Sequence, residues 1–364
     1  MSAASFSVEA TEPAALARSL REAHRAVRAP SFGLVFVTAA LGLRGRELAP
    51  IIAAAWPGVP TIVAAGAGVV SDKGCHEDGA AAAGLLACGG AVAPLAGDPE
   101  EIGAQLRGDA AGRATSLLLF GEAGDLASSV RDDHAGRALL GGGTTGSAPT
   151  LLDAEGRATR ARVVGVALRG LRAQVRVSSG ARLLGTSAAR VTAASGTTLL
   201  ELDGSPALRV MTAATRDLDG GQQLLALVPG ADPAAPLRGG CLRRIRGLDP
   251  ERGGVMLCEP VAEGEPLWFV VADADVARAD LDAQSRELSR SNAGAMPSFG
   301  LLISSSSRRR WLQGAPGADA RIVRQRLEGT PFAGLYSSSE LGPTSRGGVV
   351  HAHSAALGLY SVPS

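Results

Sequence analysis

Two runs of serine, each followed by an ionisable residue, are the groups in this sequence best suited to bind a small molecule. Ser304 to Ser307 precede Arg308, and Ser337 to Ser339 precede Glu340. A guanidinium can hold a carboxylate through two parallel hydrogen bonds, which a lysine ammonium cannot do. Glu340 could pair with a ligand ammonium or accept backbone N–H groups of its own turn, and the sequence leaves both roles open.

Each serine run follows an apolar segment typical of a buried strand. The segments are "PSFGLLISSS" and "PFAGLYSSS", with the helical pattern "ADARIVRQRLEG" between them. A strand, a helix and a second strand of one sheet form a parallel pair with a right-handed crossover. The carboxyl ends of such strands open the crevices where ligands bind. We therefore expect both serine runs to line one cleft.

The same order of elements occurs three times along the chain. The first copy reads "SFGLVFVTAA", "GRELAPIIAAAW", "PTIVAAG", a loop and "AAAAGLLACG"; the second reads "TSLLLFG", "DLASSVRDDHAG", "ALLGGG", a loop and "ARVVGVALRG". The last copy contains the serine runs and ends with "VVHAHSAALGLYSV". We expect each third strand to run antiparallel to the second, and a fainter fourth copy to begin at "TTLLELDGSPALRVM".

This pattern predicts an α+β fold. We expect mixed β-sheets covered by helices, built from repeated strand-helix-strand-strand units in two domains, residues 1–195 and 196–364. In each clear copy, small residues follow the second strand, at Ala64 to Ser71, Gly141 to Gly146 and Ser337 to Gly342. Backbone N–H groups of such loops can approach a ligand closely, so Thr144 joins the candidate residues.

Composition limits the classes of partner. The chain has 36 Lys and Arg against 35 Asp and Glu, and 3% aromatic residues. Nucleic acid is therefore not an expected partner. The N-terminal residues lack the apolar segment of a secretory signal, which predicts a cytoplasmic protein. The long uncharged stretches, Leu48 to Ser71 and Gly79 to Gly97, are interrupted by prolines and rich in small residues, so we expect no membrane insertion.

Metal binding and catalysis have weaker support. The four cysteines show no CxxC spacing, and we interpret them as packed thiols. His351 and His353 share a strand face, yet no third ligand follows from spacing, so we expect neither a metal nor a cofactor. The sequence contains no Gly-x-Ser-x-Gly elbow. A hydrolase built from scattered residues stays open as an alternative.

Several segments resemble the FIST family of bacterial sensory modules. "LELDGSPAL" is similar to a Leu-Asp-Gly-x-Pro-Ala signature, and "RRIRGLDPERGG", which contains Arg243, is similar to an Arg-containing strand and turn. "SSSELGP" resembles the Gly-Glu-Ile-Gly-Pro turn of the family, and "VHAHSA" resembles the strand that follows it. The likeness runs from about Ala29 onward. Ser305 stands where the family commonly has a cysteine, and Ala65 departs in the same way in the first copy.

The resemblance implies a protein that binds small molecules, amino acids among them, and couples them to a signalling output. Our leading hypothesis is therefore a non-enzymatic sensor that binds a small polar ligand, an amino acid or another carboxylate, and acts through a separate signalling protein. A protein-interaction scaffold is the alternative that the sequence leaves open. The candidate ligand-binding residues are Arg308, Ser305, Ser337, Ser338, Ser339, Glu340, Arg243 and Thr144.

Overall fold

A computed structural model describes residues 2–10, 12–42, 45–108, 114–130, 136–218, 221–292, 297–345 and 347–362. Three six-stranded sheets and one eight-stranded sheet make up its strands. The predicted α+β class is confirmed, because the sheets are mixed and helices pack against them. Among the described helices, none combines the length and the apolarity that crossing a bilayer requires.

The first repeat contains the first predicted strand-helix-strand-strand unit, preceded by a further strand and helix. Pro13 opens the first helix, where a missing N–H costs nothing. Its elements are β1 (Ala3–Glu9), α1 (Pro13–Ala26), β2 (Phe32–Thr38), α2 (Ala39–Gly42), α3 (Gly45–Ala55), β3 (Thr61–Gly66), β4 (Gly68–Ser71), β5 (Gly74–His76) and β6 (Ala81–Ala87).

The second repeat has the same order. Asp98 caps its first helix by accepting the N–H groups of Glu100 and Glu101. Residues 131–135 of the predicted helix "DLASSVRDDHAG" lie outside the described residues. The elements are β7 (Ala91–Gly97), α4 (Pro99–Arg107), β8 (Ser116–Gly121), α5 (Ala123–Ser129), β9 (Ala138–Gly143), β10 (Thr150–Leu152), β11 (Ala158–Arg160) and β12 (Val163–Arg169).

The third repeat is interrupted after its first strand by residues 181–272. A 3₁₀ turn, Ser306–Arg308, follows its second strand. The elements outside the interruption are β13 (Arg172–Ser178), α7 (Ala274–Ser291), β22 (Phe299–Ser305), α8 (Arg310–Gln313), α9 (Ala318–Arg326), β23 (Phe332–Ser337), β24 (Glu340–Thr344), β25 (Gly347–His351) and β26 (Ala355–Ser361). We call the three repeats together the body.

The core of each body sheet has the same strand order. The orders are β1-β6-β2-β3, β7-β12-β8-β9 and β13-β26-β22-β23. As expected, each strand-helix-strand unit forms a parallel pair, β2 with β3, β8 with β9 and β22 with β23. The final strand of each unit runs antiparallel but lies beside the first strand of the pair, not the second.

The free edge of each second strand is instead covered by a hairpin from another repeat. The β4–β5 hairpin of the first repeat pairs with β23 of the third, and β24–β25 of the third pairs with β9 of the second. The β10–β11 hairpin of the second repeat pairs with β3 of the first. The exchange is therefore cyclic, and the repeats are related by an approximate threefold arrangement.

Apolar faces of the three sheets meet in a shared core. Phe36 packs edge-to-face on Phe120, and Phe32 packs in the same way on Phe299, which stacks on Tyr360. These rings come from all three repeats. Alanines fill much of the remaining space in this core, which accounts for how few aromatic residues the sequence uses.

Residues 181–272 form a separate sheet that closes on itself. Strand β21 pairs with both β15 and β18, which closes a six-stranded antiparallel ring in the order β21-β15-β16-β20-β19-β18. We call this unit the barrel. Its elements are β14 (Ala181–Leu183), β15 (Ala189–Ser195), β16 (Thr198–Leu202), β17 (Ser205–Pro206), α6 (Ala207–Ala214), β18 (Leu224–Val228), β19 (Cys241–Asp249), β20 (Gly254–Leu257) and β21 (Pro266–Ala272).

The barrel differs from the predicted fourth copy. All the strand pairs described within residues 181–272 are antiparallel, so no strand-helix-strand unit with a parallel pair is formed there. The predicted domain boundary between residues 195 and 196 falls in the turn between the paired strands β15 and β16. The barrel joins the body through two adjacent segments, where Asp273 N–H donates to the Gly180 carbonyl at 3.3 Å.

Candidate functional site

Arg308 is fully buried, and its guanidinium is held by the protein itself. Its Nε and Nη2 donate to the Asp319 carboxylate of α9 at 2.9 and 3.2 Å, and Nη2 also donates to the Ala277 carbonyl of α7 at 3.2 Å. The two-pronged contact that was expected with a ligand carboxylate is therefore made with Asp319 of the protein itself. Its Nη1 is buried and has no hydrogen-bond partner within the described part of the chain.

Asp319 is the acceptor at which several elements meet. Ser304 at the end of β22 donates its hydroxyl to Asp319 at 2.7 Å, and Gln313 Nε2 donates at 3.1 Å. A buried carboxylate with this many donors is well satisfied. The buried ion pair thus joins β22, α9 and α7.

Glu340 is also fully buried, and its partners come from the second serine run and from the connection between β25 and β26. The Ser337 hydroxyl donates to Oε1 at 2.8 Å, and the Ser354 N–H donates to Oε2 at 3.0 Å. Burial raises the pKa of Glu340 to about 8, although these two donors act in the opposite direction. Of the two roles that the sequence left open, acceptance of a backbone N–H is the one the contacts contain, but that N–H comes from Ser354, 14 residues along the chain, and not from the turn of Glu340.

The two serine runs lie together at one edge of the sheet. Ser305 is the register partner of Ser337, and Ser337 Oγ lies 3.2 Å from the Ser304 carbonyl oxygen. Ser305 Oγ lies 2.9 Å from Ser307 Oγ, which lies 2.6 Å from His353 Nδ1. Burial lowers the pKa of His353 to about 3, so its ring is neutral.

The loop of the second repeat reaches the same edge through backbone contacts. Gly143 N–H donates to the Ser339 carbonyl at 2.7 Å, and the Ser338 hydroxyl lies 3.4 Å from the Thr144 carbonyl. A Cβ on Gly143 would lie 2.2 Å from Ser338 Oγ. Glycine at this position therefore allows the loop of the second repeat to contact the second serine run, where Thr144 lies beside Ser338.

Arg243 approaches the same hairpin from the barrel. Its Nη1 lies 2.7 Å from Cys241 Sγ and donates to the Val350 carbonyl of β25 at 3.2 Å. Burial, and secondarily the charge of Arg243, lowers the pKa of the neighbouring His351 to about 4. Arg243 thus connects the barrel to the β24–β25 hairpin, and within the described residues no hydrogen bond or ion pair joins its side chain to Arg308 or to the serine runs.

A cavity of about 260 Å³ lies between the barrel and the body. It is bounded by β13, by α7, by the barrel segment Leu237 to Gly240 and by the tip of the β24–β25 hairpin. Pro343 and Thr344, at the end of the segment "SSSELGPT", contribute to the wall. The strand that begins at buried Glu340 therefore ends at this cavity.

Two arginines in the wall of this cavity were not found from the sequence. Arg176 and Arg238 both line it, and both contact Glu287, at 3.1 and 2.9 Å. The Nε of Arg176 is buried and lacks a hydrogen-bond partner among the described residues. A single arginine in each of two distant segments gives no local signal, because only the tertiary fold brings them together.

The described residues offer no obvious metal centre. Within them, no three His, Cys, Asp or Glu side chains are grouped so that they could hold one ion.

Comparison with protein families shows to which family this chain is related. The FIST N domain matches residues 31–205, and the FIST C domain matches residues 208–343. The chain belongs to the FIST family. FIST domains are signal-transduction sensory domains.

Two mycobacterial relatives illustrate the FIST similarity. The "Uncharacterized protein Mb0898c" of Mycobacterium bovis is 30% identical over 243 residues, which cover 63% of this chain and 61% of that protein. The "Uncharacterized protein Rv0628c" of Mycobacterium tuberculosis is 28% identical over 242 residues, covering 64% and 63%. The matched region thus spans less than two thirds of either relative.

The two FIST matches meet inside the barrel. The N-terminal match ends at Ser205 in β17, and the C-terminal match begins at Leu208 in α6. The C-terminal match ends at Pro343, so it includes Arg308, the serine runs and Glu340.

Proposed function

We propose that this FIST protein is a sensor that binds a small molecule carrying a carboxylate in the cavity between the barrel and the body. The observation that carries the proposal is the pair of arginines in one wall of the cavity, Arg176 and Arg238, whose side chains are 40% and 64% exposed. A guanidinium binds a carboxylate through charge-assisted hydrogen bonds, so two of them in one wall favour such a ligand. Glu287 offsets part of the positive charge of the two arginines.

The size of the cavity favours a small metabolite. At about 260 Å³ it is smaller than the roughly 300–1,000 Å³ typical of sites for drug-sized ligands. Gln284, Ser179 and Thr344 add polar groups to the wall, and Val175, Val177 and Leu237 add apolar ones. This lining suits a short carboxylic acid, and an amino acid is one member of that class.

In this proposal, Arg308 and Glu340 hold two of the elements that form the cavity wall. Arg308 holds the Ala277 carbonyl of α7, the helix that carries Gln284. Glu340 fixes the start of β24, whose other end carries Pro343 and Thr344. Their role would be to set the position of two cavity walls, while Arg176 and Arg238 contact the ligand.

The test is a thermal-shift and calorimetry screen of short carboxylic acids, amino acids and the matching neutral amides. A carboxylate present at 100 times its Kd should stabilise the folded protein by about 2.7 kcal/mol, whereas its amide should not. Arg176→Lys should weaken binding about tenfold, because lysine keeps the charge but loses the Nε donor. Arg216→Lys, at an exposed position of the barrel, is the matched control and should bind normally.

Two results would contradict the proposal. One is a screen in which neither carboxylates nor amides stabilise the protein. The other is binding that Arg176→Lys leaves unchanged, which would place the ligand elsewhere.

A further inference from the structure

The barrel and the body do not share an apolar core. Each apolar cluster that the described residues form lies either wholly within residues 181–272 or wholly outside them. The buried side chains of the barrel include Val191 and Phe269 in one cluster and Leu225 and Leu242 in another. Interfaces between domains of one chain permit relative motion unless they are large and apolar. Packing therefore does not fix the barrel rigidly on the body.

Polar contacts cross the boundary between the barrel and the body, which we call the seam. Ser345, at the tip of the β24–β25 hairpin, holds the barrel loop between β18 and β19. Its Oγ accepts the Ala231 N–H at 3.1 Å, and its own N–H donates to the Gly239 carbonyl at 3.1 Å. Arg238 of the same loop contacts Glu287 of α7 at 2.9 Å. The loop is thus joined to two elements of the body.

These contacts are weak individually. The side chains of Arg238 and Glu287 are 64% and 38% exposed. Ion pairs at such positions contribute little to stability, because water competes for both groups. Arg243 adds a hydrogen bond to the Val350 carbonyl at 3.2 Å. A small set of polar contacts can break and form again while both units stay folded.

The two covalent connections between the barrel and the body provide a pivot. Asp273 N–H donates to the Gly180 carbonyl, so both connections leave the body at one point. Gly180 has a φ of +61°, and a Cβ there would lie 2.3 Å from Arg308 Nη1, so only glycine fits this position. Asp273 caps α7, the helix that carries Gln284 and Glu287. The body therefore holds the pivot firmly, whereas the loop between β18 and β19 is held by the polar contacts of the seam.

The candidate ligand cavity lies in the seam and has one arginine on each side of it. Arg176 belongs to β13 of the body, and Arg238 belongs to the barrel loop. Each donates to Glu287 through one nitrogen, Nη2. Within the described residues, the other guanidinium nitrogens of these two arginines make no hydrogen bond. A ligand carboxylate that accepts from both would join the barrel to the body, as Glu287 already does.

We propose that the barrel is a hinged lid over this cavity, which rotates about the Gly180–Asp273 pivot and is held closed by a bound carboxylate. The role of the ligand rests on the function proposed above, whereas the hinge does not. A ligand shifts an equilibrium only through interactions that differ between the two states. Contacts to both Arg176 and Arg238 form only when the loop lies against the body. Closure of the lid is then the structural change that reports an occupied cavity.

Hydrogen exchange of the full-length protein measures opening of the lid in the absence of any ligand. The N–H groups of Ala231 and Ser345 bond across the seam, although neither residue contacts Glu287. Glu287→Gln should accelerate exchange at both by about twofold to fivefold, as expected for the loss of one exposed ion pair. Amides in the ladders of β18 and β22 should be unchanged. Glu155→Gln, which removes an exposed ion pair with Arg157 within the body, is the matched control.

The ligand measurement uses acetate as the probe and acetamide as its neutral counterpart. Acetate should slow exchange at Ala231 and Ser345, whereas acetamide should not, and neither should chloride at the same ionic strength. In Arg238→Gln, calorimetry should still detect weaker binding of acetate through Arg176. Exchange should no longer slow in that variant, because no ligand bond then crosses the seam.

Equal exchange at the seam in the wild type and in Glu287→Gln would overturn the proposal. Acetate that binds in calorimetry without slowing exchange at the seam would overturn it as well. If acetate does not bind at all, the function proposed for the cavity is contradicted, and the comparison with Glu287→Gln alone decides whether the barrel is hinged.

Discussion

Burial shifts the pKa values of three ionisable residues near the serine runs, and it shifts them in opposite directions. Burial raises the pKa of Glu340 to about 8 from its usual 4.5, and lowers those of His351 and His353 to about 4 and about 3 from 6.5. The native state thus keeps a proton on Glu340 that the unfolded state releases above pH 4.5. Below pH 6.5 the unfolded state binds a proton at His351 and at His353, whereas the native state leaves both rings neutral until the pH approaches their lowered pKa values.

The pH dependence of the free energy of unfolding should therefore distinguish the contribution of Glu340 from that of the two histidines. The contribution of the histidines to stability has reached its full value above pH 6.5 and no longer changes there. The contribution of Glu340 to stability is lost as the pH rises toward 8. Between these values the free energy of unfolding should fall by up to about 1.4 kcal/mol per pH unit. Urea unfolding of Glu340→Gln from pH 6.5 to 8 should show a flatter profile, and the exposed variant Glu328→Gln should keep the wild-type slope. Equal slopes in all three proteins would contradict the assignment.

Arg308 shows how far side-chain roles follow from sequence. The position of the residue after a buried strand was predictable, because apolar runs and turn residues mark strand ends. Its partner was not, since Asp319 reaches it through the rotation of α9 and the packing of that helix on the sheet. A pattern of residue types places a side chain at an edge, but tertiary packing decides what it touches there. Its predicted contact with a ligand stays a prediction.

At the scale of elements, glycines decide which strands can lie close together. A Cβ on Gly334 of β23 would lie 1.6 Å from the Leu302 carbonyl oxygen of the neighbouring strand. Because backbone would have to move, Gly334→Ala should lower the free energy of unfolding by at least about 3 kcal/mol.

Gly124 in α5 offers the matched control for that substitution. A Cβ there would meet no atom within 4 Å, so Gly124→Ala should stabilise by up to about 1 kcal/mol through helix propensity. Chemical denaturation of both variants tests the pair. Similar effects of the two substitutions would show that the strand spacing at Gly334 is more adaptable than the structure indicates.

The repeated elements were largely predictable, while their exchange was not. The three strand-helix-strand units appear as predicted, because long apolar runs alternate with amphipathic or Ala-rich helices. The hairpins fall in segments that were interpreted as loops, because β5 and β10 have three residues each and such short strands give a weak sequence pattern. Their partner strands belong to other repeats, and no local pattern specifies a pairing over such a distance.

At the scale of the whole molecule, the barrel is an insertion into a body that is complete without it. Strands β1 and β7 lead directly into α1 and α4, as β13 would lead into α7 if the barrel were absent. Replacing residues 181–272 by a short glycine linker should leave a cooperatively unfolding body, because Gly180 and Asp273 already touch.

Circular dichroism and thermal unfolding measure that outcome, and ligand binding in the cavity should be lost. Removal of residues 91–170 with the same linker is the matched control. It deletes the β9 edge that receives the β24–β25 hairpin, so it should not yield a cooperatively folded protein. An unfolded product from both deletions would show that the body needs the barrel.

The prediction of a fourth repeat failed at this same scale. Short apolar runs separated by turns were visible in the barrel segment, but periodicity does not distinguish parallel from antiparallel pairing. Closure of β21 onto β18 depends on strands far apart in sequence. Local sequence patterns therefore do not predict the barrel.

The cyclic exchange of hairpins also affects how the chain is made. During synthesis the β4–β5 hairpin emerges early, yet its partner β23 lies near the far end of the chain. The sheet of the first repeat must likewise wait for β10, and that of the second for β24. No repeat can reach its final pairing on the ribosome ahead of the next, although domains usually fold as they emerge. The body thus has to assemble after nearly all of the chain has been translated, with unpaired strand edges that need protection until then.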